Sequence, residues 1–545
     1  MNRALIILFL IKALSAGGFL SNPFIGPKGD LPVKCGTPYR LMHKTISQTR
    51  PIMNHYFDTR HFRIWYSLAE PNKPDTTDIN PHDGVPDYVN RVAEVMEFCY
   101  AMEVNTFGYA PPIPDSTADS PRRNVGGDNR IDVYIQELWG NYFGETLEDE
   151  PLQTAPSKAP GFIIIDNDYI GYGYDENPLQ ALQVTCAHEL FHLIQFGYDY
   201  LEDIWWMEAT AVFMEEQVYP LVNDYINYLG DFLMHPELSL TYASGMDNHM
   251  YGACLFPMFL AKMYGWRIVR EIWELCGEPG ISSIPAISQS LERHNTTLRE
   301  AFGTFALWNL FTADRADTAN FYREGHLYPS VAIKDTLDLL HVPADTVSDS
   351  LHSSLSCVYV GLPRSKTPVG LEQIRFGFNA NSGDWLFGAA GFPPANSDWK
   401  DTLIRSSRGL FPWSFRYNLL IFCAPLVSEG GQFSLVVERS AQILQIADSV
   451  FSPYPNPVVH GSEAVYFPLF LSQGGDVVLS IYSPSGELIF ESAFYNKPPG
   501  PLVSKENAIR WELNNPHNKT VANGIYIYKI RTPQKTVHGK IGVLR

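Results

Sequence analysis

The sequence has little cysteine, a shortage of positive charge and no long apolar run beyond its first residues. Its seven cysteines are spread over 545 residues without a Cys-x-x-Cys pair, which excludes a dense disulfide framework. Its 40 lysines and arginines are outnumbered by 59 aspartates and glutamates, and the formal net charge of -19 argues against a nucleic-acid partner. No later segment reaches the ~20 apolar residues that a membrane helix needs. The length predicts about three or four domains, without a transmembrane segment in the mature chain.

The N-terminus has the three-part layout of a secretory signal peptide. Arg3 supplies a positive charge, residues 4–11 are apolar, and small residues follow at 15–17. We predict that residues 1–16 are a signal peptide and that the mature chain is secreted or lies on the cell surface. Because an exported chain can oxidise a pair of thiols, we expect Cys35 and Cys99 to pair.

Secondary-structure patterns divide the rest of the chain into three predicted domains. Residues 17–330 combine alternating, strand-like segments such as His61–Leu68 with long helical patterns. Residues 331–445 consist of short strand-like segments between Gly, Pro, Ser and Asn, which is typical of a β-sandwich. Residues 446–545 begin with a proline-rich break and then alternate strongly, which predicts another all-β domain.

The segment Asn177–Gly197 predicts a buried helix that carries two histidines on one face. His188 and His192 are four residues apart, so their imidazoles project from the same side of the helix. This spacing suits two ligands of a tetrahedral zinc ion, and Glu189 lies close enough to act on a water molecule without binding the metal. The other interpretation is a pair of hydrogen-bonded core histidines beside an exposed glutamate.

The third metal ligand is less certain from the sequence. The metzincin pattern requires Gly and His where Gln195 and Tyr198 stand, which excludes that class. Glu208 opens the next helical pattern and has Ala at the third position after it, a spacing that resembles the gluzincin Glu-x-x-Ala motif. The bland alternative is a solvated glutamate in the first turn of a helix. Three further acidic residues are candidates as ligands or, for the last two, as hydrogen-bond partners of a ligand histidine: Glu202, Glu215 and Glu216.

A zinc site of this kind implies hydrolysis by an activated water molecule, with Glu189 as the general base. The developing oxyanion needs a second donor, for which Tyr251 is our first candidate and His249 our second. Either could instead be a packed core residue. In zincins the substrate pairs with an edge strand just before the active-site helix, and Phe162–Ile165 occupies that place in the sequence, after a polar connection predicted for residues 145–160. The alternative, compatible with this one, is a buried core strand followed by a turn.

The span His61–Glu216 resembles a family of secreted bacterial metalloproteases of the gluzincin (thermolysin-like, MA-clan) type. The matching segments read DGVPDYVNRVAEVME, IDVYI, HELFHLIQFGYD and WWMEATAVFMEEQVYP. The resemblance implies a zincin fold, a bound Zn²⁺ and an endopeptidase acting on protein or peptide substrates. Two departures stand out: the interval from His192 to Glu208 is shorter than in thermolysin, and no Asp follows Glu-x-x-Ala to orient a ligand histidine.

The C-terminal region resembles the immunoglobulin-like modules of type IX secretion substrates, or the related hook-capping type. The matching residues are YPNP at 454–457, IYSPSG at 481–486, Trp511 and ANGIY at 522–526. The resemblance implies outer-membrane export from a bacterium and the secretion machinery as a partner. The alternative is a carbohydrate- or protein-binding sandwich without a sorting role.

These patterns and resemblances together predict an α+β zincin catalytic domain followed by two all-β sandwich (immunoglobulin-like) domains, in a secreted zinc endopeptidase. A different class remains open, namely a cell-surface adhesion or binding protein with a structural or inactive metal site. Glu189 argues for the enzyme, since a structural site has no use for a general base. A closed site, with a fourth side chain in place of water, argues for the binding protein.

Overall fold

The described part of the chain forms two compact units in a computed structural model. The N-terminal unit comprises Met1–Phe232 and Thr241–Leu298, and the C-terminal unit comprises Leu233–Leu240 and Arg299–Arg545. The domain boundaries predicted after residues 330 and 445 remain predictions. The signal peptide predicted for residues 1–16 lies outside the described residues. The structure describes residues 33–42, 50–115, 126–139, 142–174, 176–244, 246–339, 342–363, 373–392, 402–412, 419–440, 448–450, 453–458, 463–502, 507–515 and 519–544.

The N-terminal unit contains a six-stranded mixed sheet in the order β1-β5-β6-β4-β3-β2. The inner strands β3, β4 and β6 are parallel and rich in Ile, Val and Phe, as expected for strands buried on both faces. Strand β5 runs antiparallel to β6, and β1 runs parallel to β5 on its outer side. The strands are β1 (Val33–Cys35), β2 (His55–Asp58), β3 (Phe62–Tyr66), β4 (Ile131–Ile135), β5 (Tyr142–Glu148) and β6 (Gly161–Ile165).

Helices of the N-terminal unit pack against this sheet. The longest of the helices given below, which belong to both units, is α3. It begins at Pro178, where the fixed φ of proline suits a first helical turn, and the helix predicted over Asn177–Gly197 continues to Asp199. It packs against β5, β6 and the neighbouring helices α2 and α4, so it is buried on nearly every face. The helices are α1 (Thr37–Met42), α2 (Asp87–Tyr100), α3 (Pro178–Asp199), α4 (Ile204–Val218), α5 (Leu229–Met234), α6 (His249–Gly252), α7 (Leu255–Tyr264), α8 (Arg267–Cys276), α9 (Ser283–Arg293) and α10 (Leu298–Trp308), with a π-helical turn at Ala101–Thr106 and 3₁₀ turns at Asp224–Tyr228, Ala313–Arg315 and Gly325–Leu327.

Two expectations for the region before α3 are wrong. The segment Phe162–Ile165 is not an edge strand, because β6 lies between β5 and β4. The start of the predicted polar connection, residues 145–148, belongs to β5. The polar side chain of Thr146 has a partner inside the fold, because its hydroxyl donates to the Glu189 carboxylate on α3. A polar residue can therefore lie in this strand. The contact joins residues that are far apart in the sequence, so the periodicity of the segment does not predict it.

The C-terminal unit is rich in β-structure. Its first part contains two sheets, ordered β13-β10-β15-β8 and β12-β11-β14-β9-β7, whose facing side chains share one apolar core and so form a sandwich. Val347, Ile374, Val358 and Phe422 lie in that core. The strands are β7 (Asp335–Thr336), β8 (Ala344–Leu351), β9 (Ser356–Pro363), β10 (Gln373–Ser382), β11 (Gly388–Phe392), β12 (Thr402–Ile404), β13 (Arg408–Pro412), β14 (Leu419–Leu426) and β15 (Gly431–Ser440).

The last part of the C-terminal unit is all-β in its described residues. Its sheets have the orders β16-β18-β21, β17-β22 and β20-β19-β23-β24, and they enclose an apolar core around the fully buried Trp511. The strands are β16 (Ser449–Val450), β17 (Val465–Phe467), β18 (Leu469–Leu471), β19 (Gly475–Tyr482), β20 (Leu488–Lys497), β21 (Gly500–Leu502), β22 (Ile509–Trp511), β23 (Gly524–Arg531) and β24 (Thr536–Val543). Across the described residues, we find no helix whose length and apolar character would let it cross a bilayer.

The expected pairing of Cys35 with Cys99 is wrong. Every cysteine is a buried free thiol. The thiol of Cys99 on α2 faces the hydroxyl of Tyr219 at 3.9 Å, whereas the thiol of Cys35 on β1 faces His192 at 3.6 Å. The two thiols therefore have different neighbours and do not face each other.

Candidate metal centre and active site

The structure brings the three predicted ligand residues together in the interior of the N-terminal unit. His188 and His192 come from α3, and Glu208 comes from the first turns of α4. The two Nε2 atoms are 3.0 Å apart, and the two carboxylate oxygens of Glu208 face one each: Oε2 lies 3.2 Å from His188 and Oε1 lies 3.2 Å from His192. All three side chains are buried. Donor atoms at such distances can share a proton or a metal ion.

A fourth donor, which the sequence did not predict, completes this group. The Sγ atom of Cys35 lies 3.6 Å from Nε2 of His192. Together the ligand atoms of Cys35, His188, His192 and Glu208 lie within 4.8 Å of one another, so the group could hold a metal ion. Tetrahedral zinc, with bonds of about 2.0–2.1 Å to N or O and about 2.3 Å to S, separates two N or O donors by about 3.3 Å and an N from an S donor by about 3.6 Å. The 3.2 Å separations from Glu208 and the 3.6 Å separation from Cys35 are close to these values, and the two Nε2 atoms are slightly closer together than this geometry requires.

Both histidines are held through their outer nitrogen atoms. Nδ1 of His188 lies 2.7 Å from a Glu215 carboxylate oxygen, and Nδ1 of His192 lies 2.7 Å from the side-chain oxygen of Gln195. The Gln195 amide donates in turn to the carbonyl of Met207, which fixes its orientation. Because each Nδ1 faces an oxygen acceptor, a neutral ring would carry its proton there and direct its Nε2 lone pair at the cluster. Glu215 thus occupies the orienting role for which the sequence offered no Asp.

The electrostatics of the cluster favour a positive charge at its centre. Burial alone would raise the pKa of Glu208, but the adjacent His192 and His188 lower it to about 2. Burial alone would lower the pKa of His188, but the carboxylates of Glu208 and Glu215 raise it to about 10. The two carboxylates thus compensate a positive charge held at the imidazoles, whether that charge is a proton or a metal ion.

Glu189 lies beside the cluster without belonging to it. Its carboxylate is buried and accepts a hydrogen bond of 2.7 Å from the Thr146 hydroxyl of β5. Burial raises the pKa of Glu189 above its ordinary value, which suits a carboxylate that must take up a proton and release it again. Gly144 allows β5 to come this close, because a Cβ there would lie 3.0 Å from Cγ of Glu189 and 2.8 Å from a methyl group of Thr185.

The remaining predicted residues are placed differently. Tyr251 is buried, and its hydroxyl lies 3.5 Å from the carbonyl oxygen of Cys35, next to the cluster. The ring of His249 packs instead at 5.0 Å from Phe232 and 5.4 Å from Tyr242. We therefore favour Tyr251 over His249 as an oxyanion donor.

Of the alternative third ligands, Glu202 accepts from the backbone N–H groups of Asp203 and Ser283 at 2.7 and 2.9 Å. It is therefore engaged away from the cluster. Glu215 contacts His188 as described, and Glu216 is buried on α4 but is not among the four clustered donors.

Sequence reasoning missed Cys35, Gln195 and Thr146, and also Lys34, whose ammonium group lies 3.0 Å from a Glu215 carboxylate oxygen. Gln195 could have been found, because it lies three residues after His192 on the same face of α3. The others come from β1 and β5, and their approach to α3 depends on how the strands pair. No local spacing signals it.

Comparisons with known proteins leave the family of the chain open. No protein-family profile and no curated protein sequence matches it. Among solved structures, PorZ, an essential surface component of the type-IX secretion system of Porphyromonas gingivalis, matches with 19% identity over 20% of this chain and 14% of its own, at a TM-score of 0.14. Dimeric latent PorU from Porphyromonas gingivalis matches with 14% identity over 39% of this chain and 19% of its own, at a TM-score of 0.16.

A third solved structure, a β-glucuronidase from Parabacteroides merdae, matches with 9% identity over 33% of this chain and 29% of its own, at a TM-score of 0.14. The matches thus span less than a third of each of these three proteins. TM-scores this low do not indicate a shared overall fold. What the chain itself shows is a mixed α/β unit with a buried cluster that could hold a metal ion, followed by a β-rich unit.

Proposed function

We propose that the chain is a secreted zinc-dependent endopeptidase. The observation that carries this proposal is the convergence of His188, His192 and Glu208, with the buried carboxylate of Glu189 beside them. A long helix against a mixed sheet supplies two donors and the following helix supplies the third, which is the arrangement expected of a gluzincin-type zincin. A Zn²⁺ ion fits the donors better than calcium or magnesium, which prefer oxygen atoms alone.

Each side chain has a separate task in this proposal. A bound zinc ion would polarise the scissile carbonyl and lower the pKa of the attacking water to about 7. Glu189 takes the proton from that water and delivers it to the leaving amine, while Thr146 holds its carboxylate in place. The Tyr251 hydroxyl is the proposed donor to the oxyanion. Glu215 and Gln195 keep the two imidazoles in the orientation that binds the metal.

One observation favours the alternative, a surface adhesion or binding protein with a structural metal site. The thiol of Cys35 stands where a catalytic site keeps a water, and four protein donors are typical of structural zinc. Against this, a carboxylate, that of Glu189, is buried beside the cluster and held by the Thr146 hydroxyl, which a structural site does not need. We therefore favour the enzyme.

We also propose that the chain is exported to the cell surface and that residues 446–545 contact the secretion machinery. The support is the sequence resemblance to type IX sorting modules, together with an all-β fold built around Trp511. The proposed partners are therefore a protein or peptide substrate and that machinery.

The test of the peptidase compares the mature chain, expressed from about Gly17, with its Glu189→Gln variant on a mixed protein substrate, with bound zinc measured in both. The comparison is repeated in a Cys35→Ala background, because a sulfur ligand keeps water out. We expect chelator-sensitive cleavage that falls by about 10²–10⁴-fold in Glu189→Gln while about one zinc remains bound. Well-folded protein that holds zinc but cleaves nothing in either background would contradict the proposal.

A further inference from the structure

The segment from Lys34 to Thr37 lies across the candidate active site. Lys34, Cys35 and Thr37 are each about 1% exposed or less, although the segment stands near the N-terminal end of the chain. The Thr37 hydroxyl donates to the Thr146 carbonyl at 3.1 Å and accepts from the Thr146 N–H at 2.9 Å. These bonds attach the segment to the residue that holds Glu189.

The same segment covers the outer edge of β5. Val33 is paired with Tyr142 and Cys35 with Gly144, and the Gly36 N–H donates to the Gly144 carbonyl at 2.9 Å. The sheet order shows β1 as the strand on that side of β5. Without β1, β5 would present a free row of N–H and C=O groups beside Glu189, which is what an extended peptide needs for strand addition.

A buried ion pair fixes the segment from the other side. The ammonium group of Lys34 lies 3.0 Å from a Glu215 carboxylate oxygen and also pairs with Asp224. Glu215 is the residue that orients His188, so the segment neutralises a charge of the metal centre itself. A lysine this deeply buried is stable only with such partners, and the segment is therefore specifically docked.

The third anchor is the sulfur of Cys35. Its separation of 3.6 Å from Nε2 of His192 equals the distance expected between sulfur and nitrogen ligands of one zinc ion, about 3.6 Å. The close approach depends on Gly36, where a Cβ would lie 2.9 Å from Cβ of Glu145 and 3.0 Å from the Tyr142 ring. The chain thus passes over β5 at the one residue type that fits.

We propose that residues 34–37 are an internal inhibitor that keeps the peptidase latent, with the Cys35 thiolate as the fourth metal ligand. This inference rests on the proposed peptidase function and adds its regulation. On activation the metal–sulfur bond breaks, the sulfur takes a proton from solvent, and a water molecule replaces it. The same movement uncovers the edge of β5 for the substrate.

The first test asks whether sulfur binds the metal. Zinc X-ray absorption and the thiolate-to-metal charge-transfer band of the cobalt-substituted protein are measured for the parent chain, Cys35→Ala and Cys99→Ala. Cys99 is a matched control, because it is a buried thiol of the same unit outside the cluster. We expect a metal–sulfur distance of about 2.3 Å in the parent and in Cys99→Ala, and none in Cys35→Ala.

The second test asks whether the segment inhibits. Cys35→Ala, and separately Lys34→Met, which keeps the thiol but removes the ion pair, should bind one zinc and cleave protein at least about tenfold faster than the parent, because each raises the fraction of open protein. The thiol of Cys35 should also react faster with a thiol reagent in Lys34→Met than in the parent.

The outcomes separate this inference from the function on which it rests. If the parent shows no metal–sulfur bond, latency through Cys35 is wrong, and proteolysis by the parent can still establish the peptidase. If sulfur binds but Cys35→Ala retains zinc and cleaves nothing, both proposals are wrong and the site is structural. If Cys35→Ala and Lys34→Met cleave no faster than an active parent, the peptidase stands and the inhibitor is rejected.

Discussion

The two units of the molecule bury different kinds of side chain. Among the described residues of the C-terminal unit, Asp448 is the buried charged side chain, and the N–H groups of Ser472 and Gln534 donate to its carboxylate. The N-terminal unit buries many such groups: Lys34, Glu103, Asp115, Asp132, Glu145, Asp166, His188, Glu189, His192, Glu202, Glu208, Glu215, Glu216, Asp224 and His249.

This contrast points to the N-terminal unit as the part of the chain with a functional site. Taking a charge out of water is costly, so a fold retains buried charges where they are paired or used. In the C-terminal unit the apolar cores around Phe422 and Trp511 follow the ordinary rule. In the N-terminal unit several of the buried charges surround the cluster, including Glu189, Glu215 and Lys34, whereas others such as Glu202 lie apart from it. Variants should separate these two kinds of interior.

The largest effect is expected from removing the clustered carboxylate. Glu208→Gln keeps the size of the side chain but removes the charge that faces both Nε2 atoms. We expect zinc affinity to fall by more than about 100-fold, since changes at residues behind the ligands already cost about 10–100-fold. The zinc that each protein retains after dialysis measures this loss of affinity, and the rate of proteolysis is measured on the same samples. Glu216→Gln, on the same helix but outside the cluster, should keep its metal.

A core substitution in the C-terminal unit should show the opposite profile. Trp511→Ala empties the centre of its apolar core and removes the indole hydrogen bond to the Asn514 carbonyl. We expect a loss of about 3–5 kcal/mol in unfolding free energy, measured by denaturant titration, with zinc content unchanged. Glu512→Ala, at the exposed neighbouring position, should change stability by less than about 0.5 kcal/mol. Loss of zinc in Trp511→Ala would break the contrast between the units.

A smaller effect on the metal is expected from Glu215→Gln. The variant weakens the hydrogen bond that orients His188, so zinc affinity should fall by about 10–100-fold. Because Glu215 also pairs with Lys34, the same change is made in a Lys34→Met background. A competition titration with a zinc-binding dye measures all four proteins. An effect that disappears in that background would assign Glu215 to docking of the segment and not to the metal.

The smallest effect concerns Glu103, a buried carboxyl away from the cluster. Neither of its oxygens has a hydrogen-bond partner among the described residues, and burial raises its pKa well above the ordinary 4.5. The folded state therefore favours the neutral form, and stability is lost as the pH rises from the unfolded pKa towards the folded one. Glu103→Leu should stabilise the protein by about 1–3 kcal/mol at pH 8 and by less at pH 4. Equal stabilisation at both pH values, in thermal melts, would contradict this account.

The sequence predicts most of the helical part of the site. His188 and His192 share one face of α3 because of their spacing, whereas Glu208 on α4 was named from its resemblance to the Glu-x-x-Ala motif. Glu215 was named as a candidate partner of a ligand histidine. These residues lie on two successive helices, so they are close together in the sequence as well as in the fold.

The strands that complete the site could not be predicted in this way. Thr146 appeared to lie in a polar connection, and Cys35 appeared to be half of a disulfide, because pairing between distant strands leaves no mark in local spacing. Both reach α3 only through the order β1-β5-β6. Composition likewise favoured a thiol pair in an exported chain, whereas geometry gave Cys35 a histidine as its neighbour.

The distance along the chain between Cys35 and His192 has a consequence for the strength of the whole unit. The two residues are 157 positions apart. A metal ion that joins them acts as a cross-link closing a very long loop, and chain-entropy arguments assign such closures about 4–5 kcal/mol. If residues 34–37 inhibit as proposed, the latent form should resist heat better than the form in which Cys35 has left the metal. Removal of the metal would then lower the stability of the unit as well as empty the site.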